Sequence, residues 1–105
     1  DITDAVVDQD VIYVTRVQAE RMGGRSDLHG RNALKKLQDG YRITPDVMEH
    51  APETSTLMHP LPRVGEIDMA VDKDPRAAYF RQVQNGLYIR MALLNLVLGK
   101  VIDRV

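Results

Sequence analysis

Apolar positions along the chain change their period several times, and each change marks a different element. Residues Asp10 to Thr15 read Asp-Val-Ile-Tyr-Val-Thr, a short, nearly continuous apolar run rich in β-branched residues. That pattern predicts a strand buried on both faces. Before it, Ile2 to Val7 carries a weak signal for one helical turn. From Gly23 to Gly40 the glycines Gly23, Gly24, Gly30 and Gly40 mix with Arg25, Arg31, Lys35 and Lys36, and periodic burial fades. This predicts a surface loop with one short helical stretch around Ala33 to Leu37. Loops of that length in compact domains are usually functional or disordered.

Thr44-Pro45-Asp46 starts a helix, with a hydroxyl cap, a proline at the first position and an acid in the first turn. Val47, Met48 and Ala51 supply its apolar side, and Pro52 stops it. Ser55 to Met58 predicts a second short strand, broken by His59-Pro60-Leu61-Pro62. Asp74-Pro75 repeats the cap-then-proline signal, and Phe80, Val83, Leu87, Met91, Leu94 and Leu98 follow at spacings of three and four. They form one continuous stripe on a final helix that ends near Gly99, with Lys100 beside it. Strand, helix, strand, helix predicts an α/β fold with a parallel sheet and covering helices. Two strands cannot by themselves make a sheet covered on both faces, so the chain reads as the last part of a larger α/β domain. The abrupt Asp-Ile-Thr-Asp opening and the apolar final helix read the same way, as two cut ends.

Composition narrows the function classes. At 105 residues the chain is one small domain or part of a larger one. No run of about eighteen apolar residues is present, which excludes a membrane-spanning helix, and no secretory signal is visible. Cysteine is absent, which excludes disulfides, thiolate metal sites and a cysteine nucleophile. Fourteen basic against fifteen acidic residues, interspersed, leave no concentrated basic face for nucleic acid. His29, His50 and His59 lack metal-ligand spacing. His50 is expected at a helix end, and His59 is read as packed rather than as a site residue. Met48, Met58, Met69 and Met91 are read as core filler. No phosphate loop, nucleophile elbow or paired-carboxylate motif is present.

Ligands of open parallel sheets bind beyond the carboxyl ends of the strands, and two segments fall there. In the first, Arg16, Gln18 and Glu20 project to one side if the chain stays extended. An arginine fork beside an amide suits a carboxylate substrate, and Glu20 is placed to orient Arg16. A solvated arginine with an incidental ion pair is the alternative, and spacing alone favours it. In the second segment, His59-Pro60-Leu61-Pro62-Arg63, two prolines restrict Leu61 and remove two backbone donors. Such a turn presents fixed carbonyls suited to an amino or amide group, and one X-Pro bond is a candidate for cis. A rigid strand exit is at least as good a reading.

Four ordered segments carry a resemblance. They are Val-Ile-Tyr-Val-Thr-Arg-Val-Gln-x-Glu-Arg, Met-His-Pro-Leu-Pro-Arg-Val-x-Glu-Ile, Asp-Pro-Arg-Ala-Ala-Tyr-Phe-Arg-Gln and Asn-Gly-Leu-Tyr-Ile-Arg-Met-Ala-Leu-Leu. Together they resemble the C-terminal part of the aspartate-binding domain of aspartate carbamoyltransferases, most of all the form in the eukaryotic multifunctional pyrimidine-synthesis protein. Proline follows His59 where ornithine carbamoyltransferases usually have cysteine, which favours aspartate as acceptor. The resemblance implies the C-terminal part of a two-domain carbamoyltransferase fold. It implies transfer of the carbamoyl group of carbamoyl phosphate to L-aspartate, without a cofactor, in a cytoplasmic homotrimer of pyrimidine synthesis.

By the same resemblance, Arg16 and Gln18 match positions that bind the aspartate carboxylates, and Glu20 matches an acid that pairs with the first. Pro60 and Leu61 match the residues whose carbonyls hold the carbamoyl nitrogen, with a cis bond between Leu61 and Pro62. The segment 23–40 matches a mobile loop that closes on substrates. Ala19 stands where lysine is common, and Gly65 where Asp or Asn is common. The family's Ser-x-Arg-Thr phosphate motif belongs to an N-terminal carbamoyl-phosphate domain this sequence lacks, and a serine and a lysine come from a neighbouring subunit. Residues 1–74 are thus expected to be aspartate-domain sequence and residues 75–105 a helix that packs on the missing domain. The chain alone is expected to be inactive. The alternatives are a non-catalytic assembly module and a carbamoyltransferase for another amino acid.

Overall fold

The computed structural model describes residues 1–17 and 28–99. In chain order the elements are α1 (Ile2–Val6), β1 (Val11–Tyr13), α2 (Leu28–Gly40), α3 (Pro45–Glu49), β2 (Thr56–Met58), a 3-10 helix (Met69–Lys73) and α4 (Tyr79–Val97). The strands β1 and β2 are parallel, in the register Val11 to Thr56, Ile12 to Leu57 and Tyr13 to Met58. The ladder runs one bond further at each end, from Thr56 N–H to the Asp10 carbonyl at 2.8 Å and from Val14 N–H to Met58 at 2.9 Å.

On its other side, β2 meets the segment before α4. Leu57 N–H donates to Arg76 at 2.9 Å and its carbonyl accepts from Ala78 N–H at 2.8 Å. Paired on both sides, Leu57 is fully buried. Around it the core gathers Val6 from α1, Val47 and Met48 from α3, and Ile43, Ile67, Val71 and Tyr79. Each such side chain contributes about 1.5–3 kcal/mol on burial, so this group outweighs any single surface pair.

The parallel pairing and the start of α3 follow the sequence pattern. Thr44 caps α3, its hydroxyl accepting from Val47 N–H at 3.3 Å, and Pro45 occupies the first turn. Val47, Met48 and Ala51 are buried on one side, and His50 sits at the helix end. The final helix ends where glycine predicts, with Leu98 as its cap and Gly99 at φ 67°.

Several expectations are corrected. The strand β1 is not buried on both faces: Ile12 and Val14 pack on the core, whereas Val11 and Tyr13 are more than half exposed. The predicted loop from 23 to 40 is, over Leu28–Gly40, a thirteen-residue helix. There the helix formers Arg31, Ala33, Leu34, Lys35, Lys36, Leu37 and Gln38 outweigh the cost of about 1 kcal/mol for one interior glycine. Residues 23–27 lie outside the described residues.

Asp74-Pro75 does not start the last helix. The Asp74 N–H closes the 3-10 helix on Val71 at 2.9 Å, and its carboxylate accepts from Arg76 N–H at 2.9 Å. The chain then pairs with Leu57, so helical backbone begins only at Tyr79. Met48 is core, but Met69 and Met91 are 75% and 58% exposed. Met69 opens the 3-10 helix on its outer side, and Met91 belongs to a face of α4 that nothing among the described residues covers.

Candidate functional site

Because β1 and β2 are parallel and Tyr13 stands opposite Met58, both strands release their chains at the same edge of the sheet. Arg16 lies three residues past the end of β1, and Leu61 three residues past the end of β2. The two segments picked out from the sequence therefore leave side by side, where parallel sheets bind their ligands. Arg16 is exposed and lines an open groove of about 900 Å³ between α1, β1 and α2, with Ile2, Val14, Leu37 and Tyr41 among its walls. Gln18 and Glu20 lie outside the described residues.

The turn after β2 is held from several directions. Pro60 is exposed, and Leu61 is half-buried against the core. Leu61 adopts φ 48°, a left-handed conformation rare for a branched side chain, and its bond to Pro62 is cis. Leu61 N–H donates to His59 Nδ1 at 2.8 Å. His59 N–H donates to Gln82 Oε1 at 3.0 Å, and Gln82 Nε2 donates to the Tyr13 hydroxyl at 3.1 Å. One side chain of α4 thus ties the end of β1 to the start of the turn after β2.

Further along, Glu66 Oε2 accepts from Val64 N–H at 2.6 Å and Gly65 N–H at 2.9 Å. Gly65 is at φ 142°, a conformation that side-chain-bearing residues rarely adopt. Burial pushes the Glu66 carboxyl up, but the hydrogen bonds from its own N–H and those of Val64 and Gly65 hold it below the ordinary value. Arg63 closes the turn. Its Nη2 donates to Asp72 Oδ2 at 2.7 Å, its Nη1 to Asp72 Oδ1, and its guanidinium lies 5.6 Å from the centroid of the Tyr79 ring.

His59 is 1% exposed, as a packed histidine should be. Sequence reasoning missed that it also bonds the turn, and missed Gln82, Glu66, Asp72 and Tyr79 as its supports. No spacing rule connects them, because Gln82 and His59 are 23 positions apart in the chain. Among the described residues no group of three or more His, Asp or Glu side chains could hold a metal, and no helix is long and apolar enough to cross a membrane. Arg16 and the rigid turn thus leave neighbouring parallel strands at one sheet edge, and the groove that Arg16 lines is walled by α1, β1 and α2.

Comparison with known proteins agrees with this architecture. Residues 1–97 match the family described as aspartate/ornithine carbamoyltransferase, Asp/Orn binding domain, and the chain belongs to that family. It is similar to the chloroplastic aspartate carbamoyltransferase of Oryza sativa subsp. japonica, with 49% identity over 98 residues, which are 93% of this chain and 26% of the relative. It is also similar to the multifunctional protein CAD of Squalus acanthias, 44% identical over 94% of this chain and 4% of that protein. Among solved structures it is similar to the aspartate transcarbamoylase of Trypanosoma cruzi in complex with carbamoyl phosphate. The TM-score is 0.74 at 39% identity, over 88% of this chain and 27% of that one. Another structure of that enzyme holds aspartate and phosphate. The chain thus spans about a quarter of the length of the rice relative and far less of the multifunctional one.

Proposed function

We propose that the polypeptide carrying this chain is an aspartate carbamoyltransferase, and that the chain supplies the acceptor side of its active site. The observation that carries the reading is the shared sheet edge, where Arg16 and the Pro60–Leu61 turn leave parallel strands in register. The similarity to enzymes solved with carbamoyl phosphate and with aspartate supports the choice of substrates. Ornithine is the rival acceptor within the family, and the proline after His59 favours aspartate.

In this reading Arg16 and Gln18 hold the carboxylates of L-aspartate, with Glu20 orienting Arg16. A planar guanidinium fork matches a carboxylate in two parallel bonds, which fixes orientation as well as charge. The carbonyls of Pro60 and Leu61 accept from the carbamoyl NH2 group. The aspartate amine then attacks the carbonyl carbon of carbamoyl phosphate; a C–N bond forms, the C–O bond to phosphate breaks, and the amine gives up a proton. The products are N-carbamoyl-L-aspartate and phosphate. Holding two reactants in attack geometry supplies much of such an acceleration. Stabilisation of charge on the departing phosphate falls to the N-terminal carbamoyl-phosphate domain and a neighbouring subunit of a homotrimer. The chain by itself is therefore inactive, needs no cofactor, and contacts neither nucleic acid nor membrane; the enzyme acts in the cytoplasm, in pyrimidine synthesis.

Residues 1–74 belong to the aspartate domain, and residues 75–105 carry the helix that returns to the carbamoyl-phosphate domain. Phe80, Val83, Leu87, Met91, Leu94 and Leu98 support this, since all six are more than half exposed on one stripe of α4. An apolar stripe of that size on a soluble protein marks a buried contact. The test is to assay the full-length polypeptide for N-carbamoyl-L-aspartate, with ornithine as a competing acceptor. Formation of carbamoyl-aspartate is expected; citrulline as the product, or no product with either amino acid, would overturn the reading.

A further inference from the structure

One buried imidazole stands at the centre of the turn after β2. Its Nδ1 accepts the Leu61 N–H at 2.8 Å. A ring nitrogen that accepts a hydrogen bond carries no proton, so His59 is neutral in this arrangement, with its hydrogen on Nε2. Nε2 faces Glu66 Oε1 at 3.7 Å, beyond hydrogen-bond length, and both atoms are buried without a hydrogen-bond partner. Glu66 cannot simply swing closer, because its other oxygen is held by Val64 N–H and Gly65 N–H.

A ring kept for packing alone has no reason to leave its Nε2 and the facing Glu66 Oε1 both unpaired, since an apolar ring of similar shape would fill the volume without burying a second polar atom. What the imidazole gains is Leu61. The bond from its Nδ1 to the N–H two residues on is the bond an Asn side chain makes in an Asx turn. It holds Leu61 at φ 48°, where a leucine would not otherwise rest. The fixed Glu66 carboxylate favours the tautomer with hydrogen on Nε2, which leaves Nδ1 open to accept.

We propose that His59 is a positioning residue for the substrate site: its unprotonated Nδ1 holds Leu61 in the left-handed conformation and so aims the Pro60 and Leu61 carbonyls at the carbamoyl NH2 group. The inference rests on the function proposed above. It assigns to His59 a role that acts through the backbone and touches no substrate.

Two near-isosteres separate this role from packing. In His59→Asn the side-chain oxygen replaces Nδ1 and nothing replaces Nε2; in His59→Gln the amide nitrogen replaces Nε2 and nothing replaces Nδ1. In the full-length polypeptide, H59N should keep the KM for carbamoyl phosphate near that of the unsubstituted protein. H59Q, lacking one hydrogen bond, should raise it about tenfold with a smaller change in KM for aspartate. Equal KM values in the two variants, or a larger rise in H59N, would overturn the proposal. A packing role predicts that reversed order, because Gln fills more of the ring's volume. A second measurement needs no variant: the ¹⁵N spectrum of the His59 ring should show Nδ1 unprotonated and Nε2 protonated, and a proton on Nδ1 overturns the proposal. An inactive unsubstituted protein counts against the proposed function, whereas an active one with indistinguishable variants counts against the role of His59 alone.

Discussion

Asp72 takes both terminal nitrogens of Arg63 on its two oxygens, and the oxygen that meets Nη1 also accepts the Tyr79 hydroxyl. The pair joins three parts of the chain: the end of the site turn, the 3-10 helix and the first residue of α4. Tyr79 is fully buried, and Phe80 packs edge-on to it with ring centroids 4.9 Å apart. The guanidinium lies 6.0 Å from the Phe80 centroid as well, so its cation is held by a carboxylate and two aromatic rings. Hydrogen bonds from Arg63 hold the Asp72 carboxyl down at about 2, against the opposing effect of burial. Burial, with the bond to Asp72, pushes the Tyr79 hydroxyl up to about 12.

The acid limb of stability should report this carboxylate. The folded value of about 2 lies below the ordinary 3.8, so the contribution is fully present above pH 4 and disappears as pH falls toward 2. Asp72 is 26% exposed, and after discounting for solvent screening the contribution is about 1 kcal/mol. Urea unfolding midpoints measured from pH 5 to pH 2 should fall less steeply in Asp72→Asn than in the unsubstituted protein. Parallel slopes would show that the pair carries no linked proton.

Arg76 ties the segment that follows α3 to the segment that precedes α4. Its Nη1 donates to the carbonyls of Ala51 at 2.9 Å and Pro52 at 3.3 Å, past the end of α3, while Nε and Nη2 grip Asp74 at 2.9 and 2.7 Å. A lysine reaches one partner at a time, so Arg76→Lys should cost about 2 kcal/mol in chemical denaturation. A loss within about 0.5 kcal/mol, ordinary for surface sites, would mean the carbonyls find water instead.

Arg16 is the clearest test of the acceptor site. Arg16→Ala should lower kcat/KM for aspartate on the order of a hundredfold while leaving the KM for carbamoyl phosphate nearly unchanged. Arg16→Lys should recover little, because a point charge does not reproduce the fork. An unaltered aspartate requirement in the alanine variant would remove Arg16 from the site.

The apolar face of α4 should behave as buried in the full-length protein although Leu94 is 62% exposed in this chain. Leu94→Asp should lower stability there by about 3 kcal/mol, the cost of losing apolar burial and burying a charge. Gln84→Ala, at an exposed position of the same helix, should stay within about 0.5 kcal/mol. Equal melting temperatures for the two variants would argue that the stripe faces solvent.

Much of this was legible in advance because it is local. Thr44-Pro45 capped a helix as its chemistry requires, and the short apolar runs at Val11 and Thr56 became strands. Arg16, Pro60 and Leu61 stood out because strand ends in parallel sheets are where ligands bind. Asp74-Pro75 misled because an aspartate cap can serve a turn as well as a helix, and pairing of Ala77 with Leu57 decided which. The stretch marked by Gly23, Gly24, Gly30 and Gly40 misled because the run of helix formers from Arg31 to Gln38 prevails over the glycines.

What the sequence determined by itself, then, was the strands, the cap of α3, the apolar stripe and the residues able to meet a carboxylate or an amide, since period, cap chemistry and donor inventory act over a few positions. Tertiary structure alone decided how the turn is held. Gln82 reaches His59 and Tyr13, Asp72 takes Arg63 and Tyr79, and His59 places an unprotonated nitrogen under Leu61. Most of these partners lie many positions apart, and even the close pair of His59 and Leu61 depends on a tautomer set by its surroundings. Parallel pairing of β1 and β2 and the burial of Leu57 between its neighbours bring them into contact, and only contact makes a hydrogen bond.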